Sequence, residues 1–469
     1  MLPVKNLRFA LLTGLGLLAA TSLRAQSELN SFSIVGRGGV ANTFASDYQA
    51  IGINPANMAR MNNAVVAFSI GEGGVGVSSA SLTRSQVWKF LRNTDQTLTR
   101  ADKLELARAF TSDNTLNFNA DVTTVAVSAS FPVLGSFAFS NRQRLSGHMA
   151  LNQNAAEILF LGQEAPIYAN YNPTTSPLIT ESLAGTQFQG TWYNEFNFAF
   201  ARRLITLPLF RLSGGVGYRY IQGVGIVDVR IEPGKIEAYS AMSPLFDIDY
   251  GKVVNSTSFN LEKRANGLQP VGKGNGFDLG LAMEAGKMLR ASLSLTDLGH
   301  MTWEGNLLTA SDQKLKKLRS NGVDNYDFLS EATKIFASGT DSVFVYQPSQ
   351  EHTASLPTKL RAGAGLRVTN RLEVGLDVTV PLNEVAGNIT SPFVGAGIDF
   401  KPNKFIRLSS GVAGGAGYGF ALPLGVAFTT NLYEFGVSTR DLPGLLADKN
   451  PYASVAAGFV RFRFGEIKD

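Results

Sequence analysis

Cysteine is absent from the 469 residues, which excludes disulfide bonds, thiolate metal sites, thiol catalysis and a lipidated N-terminal cysteine. Charged residues are also scarce, at 17% of the chain against about 25% in ordinary soluble proteins. The histidines His148, His300 and His352 are isolated, and none has the HExxH spacing of a metalloprotease. No nucleophile elbow with Ser-His-Asp order is present. We therefore expect no enzyme activity, no metal and no cofactor.

Long apolar runs are missing after residue 25, so the sequence contains no segment of the ~18 residues needed for a membrane-spanning helix. The apolar run at 9–20 is shorter, and it follows the positive charges of Lys5 and Arg8, as in a secretory signal. Ala25 offers a small residue for cleavage. We predict a signal peptide over residues 1–25, whose removal lowers the formal net charge of +5 by three. The remaining charge does not favour a nucleic-acid partner.

A period of two is the dominant pattern in the rest of the chain. In 371–380, apolar residues such as Leu376 alternate with polar ones such as Asp377. This is the pattern of a strand with one apolar and one polar face. Shorter candidates lie at 75–81 and within 224–262. The alternation recurs near residues 63–70, 118–131, 135–144, 191–203, 209–220, 275–285, 289–298, 358–368, 371–381, 392–401, 404–413, 418–429, 432–439 and 453–464.

The length of these segments distinguishes two all-β folds. Tilted strands of about ten residues match a membrane barrel, whereas strands of soluble sandwiches have about five or six residues. The apolar face is Leu, Val, Phe and Ala, which suits lipid, and the other face suits a wet interior. We predict a single transmembrane antiparallel β-barrel of about 14 strands over residues 62–469, in the cell outer membrane. The alternatives are 16 strands, or an exported sandwich.

Two segments depart from the period of two. Apolar residues at 84–110 and 310–336 follow helical spacing, and both segments lie between predicted barrel strands. Outer-membrane barrels have short periplasmic turns and longer outer loops, so we predict helical extracellular inserts. Their apolar faces either collect a ligand or pack on the barrel rim and on each other.

Residues 26–61 contain a short turn-bearing segment between the signal and the first strand. Pro55 fixes its own φ, lacks an N–H and biases Asn54 away from helical geometry, so Asn54, Pro55 and Ala56 form a turn. The segment has too few apolar residues for a core of its own. We predict a hatch, or plug, inside the barrel; a disordered periplasmic tail is the alternative.

The position of the Asn54-Pro55-Ala56 motif resembles the hatch of the FadL-type family of long-chain fatty acid transporters. The segment at 356–368 resembles a strand opening of that superfamily, which includes PorV-type barrels of Bacteroidetes. The segments LRAQ (23–26) and VPLNEVAGN (380–388) resemble an uncharacterised Bacteroidetes group of outer-membrane barrels. The resemblance implies a plugged 14-stranded barrel that hydrophobic compounds enter by diffusion. PorV-type relatives imply an alternative role in secretion or surface attachment.

The expected partners are membrane lipid and either a hydrophobic small-molecule ligand or an envelope protein. Transport requires an apolar pocket bounded by the hatch, whereas partner binding requires an exposed apolar patch on the loops. The candidate residues for an apolar ligand path are Phe32, Ile34, Phe44, Ile51, Met58 and Met61.

Overall fold

The computed structural model describes residues 31–61, 63–92, 95–110, 115–246, 248–263, 268–336, 341–389, 391–416 and 418–467. The predicted signal peptide, residues 1–25, and residues 26–30 of the predicted hatch lie outside these ranges.

All strands of the described chain belong to one antiparallel sheet. They are β1 Val66–Ser79, β2 Thr115–Phe131, β3 Gly135–Ala150, β4 Gln187–Leu207, β5 Phe210–Glu232, β6 Lys235–Met242, β7 Gly272–Ala285, β8 Leu289–Trp303, β9 Leu307–Ala310, β10 Gln347–Pro348, β11 His352–Ser355, β12 Lys359–Arg367, β13 Leu372–Pro381, β14 Phe393–Phe400, β15 Ile406–Gly415, β16 Tyr418–Ala421, β17 Leu424–Thr429, β18 Tyr433–Thr439 and β19 Tyr452–Phe464.

Fourteen of the described strands close into a barrel, in the order β1, β2, β3, β4, β5, β7, β8, β12, β13, β14, β15, β17, β18 and β19. Closure occurs between the first and last strands, where Val66 lies opposite Phe464 and Ser78 opposite Tyr452. A closed sheet leaves no unpaired edge in lipid. The prediction of about 14 strands is confirmed, and the short strands β6, β9, β10, β11 and β16 extend the wall at one end.

The two faces of the wall differ in chemistry as the alternation predicts. Leu376 of β13 is 48% exposed on the outside, whereas its neighbour Asp377 is 3% exposed and faces the lumen. Apolar side chains are exposed along the outside of the other barrel strands, among them Val127, Phe198, Val216, Phe277, Leu281, Val426 and Val455. An apolar outer band around a polar lumen is the architecture of a transmembrane barrel.

The connections differ in length at the two ends of the barrel. Short turns lie at one end, at 132–134, 208–209, 286–288, 368–371, 401–405 and 430–432, and we call it the turn end. The other end, which we call the loop end, carries the long connections and the helices other than α1. The helices are α1 Phe32–Val35, α2 Arg84–Arg92, α3 Arg100–Ala109, α4 Gln153–Leu161, α5 Ile179–Ser182, α6 Phe328–Phe336 and α7 Leu442–Leu446. None of the helices in the described chain is long and apolar enough to span a bilayer.

The long connections pack into one apolar core at the loop end, which we call the cap. The first insert contributes Val87 and Leu106, α4 contributes Leu159, and the second insert contributes Leu318 and Ile335, all of them buried. The apolar faces of the two inserts therefore pack against each other.

The second insert is helical only at α6, so the helix predicted before the SNG at 320–322 is wrong. Leu315 and Leu318 are buried in the cap in an irregular backbone. The Leu315 N–H donates to the Pro177 carbonyl at 2.8 Å, and the Ser320 carbonyl accepts from the Gln163 N–H at 2.8 Å. Bonds to a distant part of the cap thus replace the local bonds of a helix.

Candidate functional site in the lumen

The described N-terminal segment, residues 31–61, lies inside the barrel, and we call it the hatch. Its α1 contacts β17, β18 and β19, and its short 3-10 helix Asp47–Ala50 contacts β1, β2 and β3. A second 3-10 helix, Pro55–Ala59, contacts β4, β5 and β7. The hatch therefore reaches the wall on several sides of the lumen. The boundary at residue 26 remains a prediction.

The Asn-Pro turn fixes the hatch to the wall through backbone atoms. Asn54 Oδ1 accepts from the Ala56 N–H at 3.1 Å and caps the 3-10 helix, whose first residue, Pro55, needs no hydrogen-bond acceptor. Asn54 Nδ2 donates to the carbonyls of Leu281 at 3.0 Å and Leu293 at 3.2 Å. The turn motif is thus held between β7 and β8.

Glycines in the wall make room for the hatch backbone. A Cβ atom at Gly280 would overlap with Asn54 Oδ1, and one at Gly215 would overlap with the Ala56 nitrogen. At Gly375, a Cβ would lie 2.7 Å from the Phe44 ring. A side chain at any of these positions would displace the hatch. Other wall glycines that touch the hatch are Gly363, Gly365, Gly395, Gly397, Gly425, Gly436 and Gly458.

Buried ion pairs anchor the first half of the hatch. Arg37 forms a bidentate ion pair with Asp399 of β14. Its Nε donates to Oδ1 at 2.8 Å, and its Nη2 donates to Oδ2. Asp47 accepts from Arg461 of β19 at 2.8 Å. All four side chains are nearly inaccessible to water, so each charge is stabilised by its oppositely charged partner and not by hydration.

Two carboxylates that form no ion pair within the described ranges also bind the first half of the hatch. Glu72 of β1 accepts from the Tyr48 hydroxyl at 2.8 Å and from Gln49 Nε2 at 2.5 Å. Asp377 of β13 accepts from the Asn42 N–H and, at 2.5 Å, from the Thr43 hydroxyl. These bonds join the hatch to strands far apart in the barrel.

Arg60, in the second half of the hatch, is a buried cation that differs from Arg37 in its hydrogen-bond partners. Its Nη1 donates to the Thr43 carbonyl at 2.6 Å, while Nε and Nη2 find no hydrogen-bond partner in the described chain. Burial, and then the neighbouring Arg290, lower its pKa to about 9. At neutral pH the guanidinium is therefore charged, yet no carboxylate among the described residues forms an ion pair with it.

A second charged network fills the lumen on the loop side of the hatch. Arg219 lies 2.6 Å from Asp278 and 2.5 Å from Asp297, and Arg144 lies 2.9 Å from Glu195. A Cβ at Gly52 of the hatch would lie 3.1 Å from Arg142 Nη1 and 3.5 Å from Arg219 Nη2, so the network rests directly on the hatch.

Cavities of different size border the hatch. One of about 580 Å³ lies at the turn end, and its lining includes Ala59 of the hatch together with Phe131 and Arg203 of the wall. A cavity of about 50 Å³ lies between the hatch and β1–β3, and its lining includes Ile34, Ile51 and Ile53 together with Glu72 and Arg142. Pockets that hold drug-sized ligands have volumes of about 300–1,000 Å³. This cavity between the hatch and β1–β3 is therefore too small to be a preformed ligand pocket.

The six residues predicted for an apolar path do not meet at this cavity. Ile34 and Ile51 line it. Phe32 packs against wall glycines of β18 and β19, and Phe44 lies on Gly375 with the Arg37 guanidinium 4.7 Å from its ring. Met58 and Met61 are buried and are not part of its lining.

Arg37, Asp47 and Arg60 belong to none of the motifs that the sequence pattern indicated as functional. Their role could have been predicted, because each is a charged residue in a short segment that is predicted to lie inside a barrel. Such a charge needs a counter-charge, and polar residues at alternate positions of the strands, such as Asp399 and Arg461, were candidates. Among the described residues, no group of three His, Asp or Glu side chains is arranged to hold a metal ion.

The fold and the site define a hatch-containing transmembrane β-barrel. The chain belongs to a family of unknown function (DUF5723), which matches residues 55–433. A search of the curated proteins found no match.

Similar solved structures include three barrels of low sequence identity. The Ralstonia pickettii toluene transporter TbuX is 13% identical, with 93% of this chain and 98% of that chain covered and a TM-score of 0.45. The Pseudomonas putida toluene transporter TodX is 10% identical, with 94% and 99% covered and a TM-score of 0.43. A Pseudomonas aeruginosa FadL homologue is 10% identical, with 94% and 97% covered and a TM-score of 0.42. The barrel fold of this chain is established by its own strand pairing.

Proposed function

We propose that this protein is an outer-membrane channel through which hydrophobic small molecules enter by diffusion, and that the hatch closes its lumen. The observation that carries this proposal is that the wall closes without the hatch. The pairing of β1 with β19 completes the ring, and residues 31–61 contribute no strand to it. A segment that fills a lumen without supporting the wall is suited to act as a plug.

The two ends of the barrel have a defined orientation in the outer membrane under this proposal. The signal peptide at 1–25 is cleaved on export, and the turn end faces the periplasm, since short turns lie there in outer-membrane barrels. The cap then faces the outside of the cell.

The cavity of about 50 Å³ between the hatch and β1–β3 is too small for a hydrophobic ligand, so passage on this side of the lumen requires the hatch to move. The ion pairs of Arg37 and Asp47 hold the first half of the hatch, whereas Arg60 in the second half has no ion pair with a carboxylate of the described residues. The structure is therefore assigned to a closed state of the channel.

A disulfide lock tests the proposal directly. The Cβ of Thr43 lies 3.7 Å from the position that a Cβ would occupy at Gly365 of β12. This separation matches the mean of about 3.8 Å in disulfides. Because the chain has no cysteine, the double variant Thr43→Cys with Gly365→Cys forms a single defined cross-link between hatch and wall.

The measurement is the rate at which the hydrophobic dye N-phenyl-1-naphthylamine enters cells that produce the double variant. We expect the oxidised variant to show the slow entry of cells without the barrel, and a reductant to restore fast entry. The two single-cysteine variants are the controls, and they should not respond to oxidation. Entry that is unchanged by the lock would contradict the transport proposal.

An envelope or secretion-associated barrel that binds a partner protein is the second candidate function. It is favoured by the charged network that fills the lumen and by the size of the cap core. In this case, the lock should leave dye entry unchanged, because the lumen would remain closed in both redox states.

A further inference from the structure

One set of exposed apolar side chains on the loop end lies where α2 approaches α7 and β16. Phe420 is 70% exposed, Leu446 63% and Trp88 36%, in contrast to the buried apolar residues of the cap core. We call the exposed set the rim patch; it consists of Trp88, Leu91, Phe420, Leu422, Leu442 and Leu446.

Hydrogen bonds hold the parts of the rim patch side by side. Arg84 Nη1, one turn before Trp88 on α2, donates to the Leu446 carbonyl at 2.8 Å. The Leu442 N–H donates to the Leu422 carbonyl at 2.9 Å. The patch is therefore one continuous surface built from α2, α7, and β16 with the residue that follows it.

The rim patch continues the lipid-facing wall. Below it, Val426 of β17, Val437 of β18 and Val455 of β19 are exposed on the outside of the barrel. The apolar band on this side thus extends past the strands onto the loops. A surface that continues a lipid-facing wall is expected to contact lipid as well.

Cations border the rim patch. The Arg92 guanidinium lies 4.4 Å from the centre of the Trp88 ring, and Lys449 is exposed next to α7. Neither forms an ion pair with a carboxylate of the described chain, whereas Arg84 is paired with Asp448 at 3.0 Å. Tryptophan beside Lys and Arg at the edge of an apolar band is typical of a membrane interface, and such cations attract anionic head groups.

We propose that the rim patch lies on the outer leaflet of the membrane and that Arg92 and Lys449 bind the anionic head groups of its lipids. The inference rests on the part of the proposed function that places the barrel in a membrane, and it does not depend on transport.

The absence of cysteine allows single-site labelling of the full chain. The variants Trp88→Cys, Phe420→Cys, Val426→Cys and Leu104→Cys are each labelled with bimane and reconstituted into vesicles of phosphatidylcholine, with or without phosphatidylglycerol. Brominated lipids in the vesicles then quench a label that touches lipid. Val426 lies on the wall, and Leu104 is an exposed apolar residue of α3.

We expect labels at positions 88, 420 and 426 to be quenched several-fold more than the label at 104. Phosphatidylglycerol should raise the quenching at position 420, and the added pair Arg92→Gln and Lys449→Gln should remove that increase. Quenching at 426 with none at 88 and 420 would overturn the proposal while leaving the barrel in the membrane. No quenching at any position would contradict membrane insertion, on which both proposals depend. An unchanged response to phosphatidylglycerol would overturn the role of the two cations.

Discussion

Gly280 and Gly215 seat the hatch because neither position has room for a side chain. We predict that Gly280→Ala displaces Asn54 and weakens the closure of the lumen, at a cost of about 1–3 kcal/mol for overpacking. The expected result is a higher leak conductance in planar bilayers with an unchanged yield of folded barrel. Gly414→Ala is the matched control, since a Cβ there would find its nearest atom 4.0 Å away. Equal conductance of the two variants would contradict this role of Gly280.

We infer that Arg60 weakens the binding of the hatch in the lumen, because no carboxylate among the described residues forms an ion pair with this buried cation. We predict that Arg60→Met lowers the leak conductance, since an apolar side chain of similar length avoids the cost of burying an unpaired charge. Arg60→Lys keeps the charge and is the control, which should not lower the leak. A leak that rises in Arg60→Met would show that the guanidinium holds the hatch in place.

Strand β13 has one face of side chains toward lipid and the other toward the lumen. We predict that Leu376→Arg lowers the yield of folded barrel, because an arginine on the lipid face costs about 2–4 kcal/mol near the bilayer midplane. Asp377→Asn is the comparison on the adjacent lumen-facing position, and it should leave the yield near that of the wild type. The mobility shift of unheated against heated samples on gels measures the folded fraction. Similar losses in both variants would mean that the two faces are wrongly assigned.

The whole barrel should fold without its hatch. Deletion of residues 27–53 leaves the pairing of β1 with β19 intact, and wall charges such as Asp399 and Arg461 become hydrated once water fills the lumen. We predict a heat-modifiable barrel with a large, stable conductance in planar bilayers. A deletion variant that folds and conducts like the wild type would show that residues 31–61 are not a plug.

The sequence by itself determined where the strands of the wall lie and which of their side chains face lipid or the lumen. Side chains of a strand alternate between its two faces through local geometry alone, so Leu376 and Asp377 could be assigned to lipid and lumen from their order. The fourteen alternating segments correspond to the fourteen barrel strands. A sheet in lipid must close, but the alternation left 14 or 16 strands open, and the pairing of β1 with β19 decided for 14. The turn at Asn54-Pro55 is likewise local, since proline restricts itself and the residue before it.

Only the tertiary structure decided what the lumen contains. Arg37 and Asp399 are separated by 362 positions, and no local pattern pairs them. The segment 310–319 has the spacing of a helix, yet burying Leu315 and Leu318 against a distant loop gives an irregular backbone. The six candidate path residues are apolar, but their positions depend on which wall glycines admit the hatch. In each case the deciding contact is between residues far apart in sequence, and such contacts are formed only when the barrel closes around the hatch.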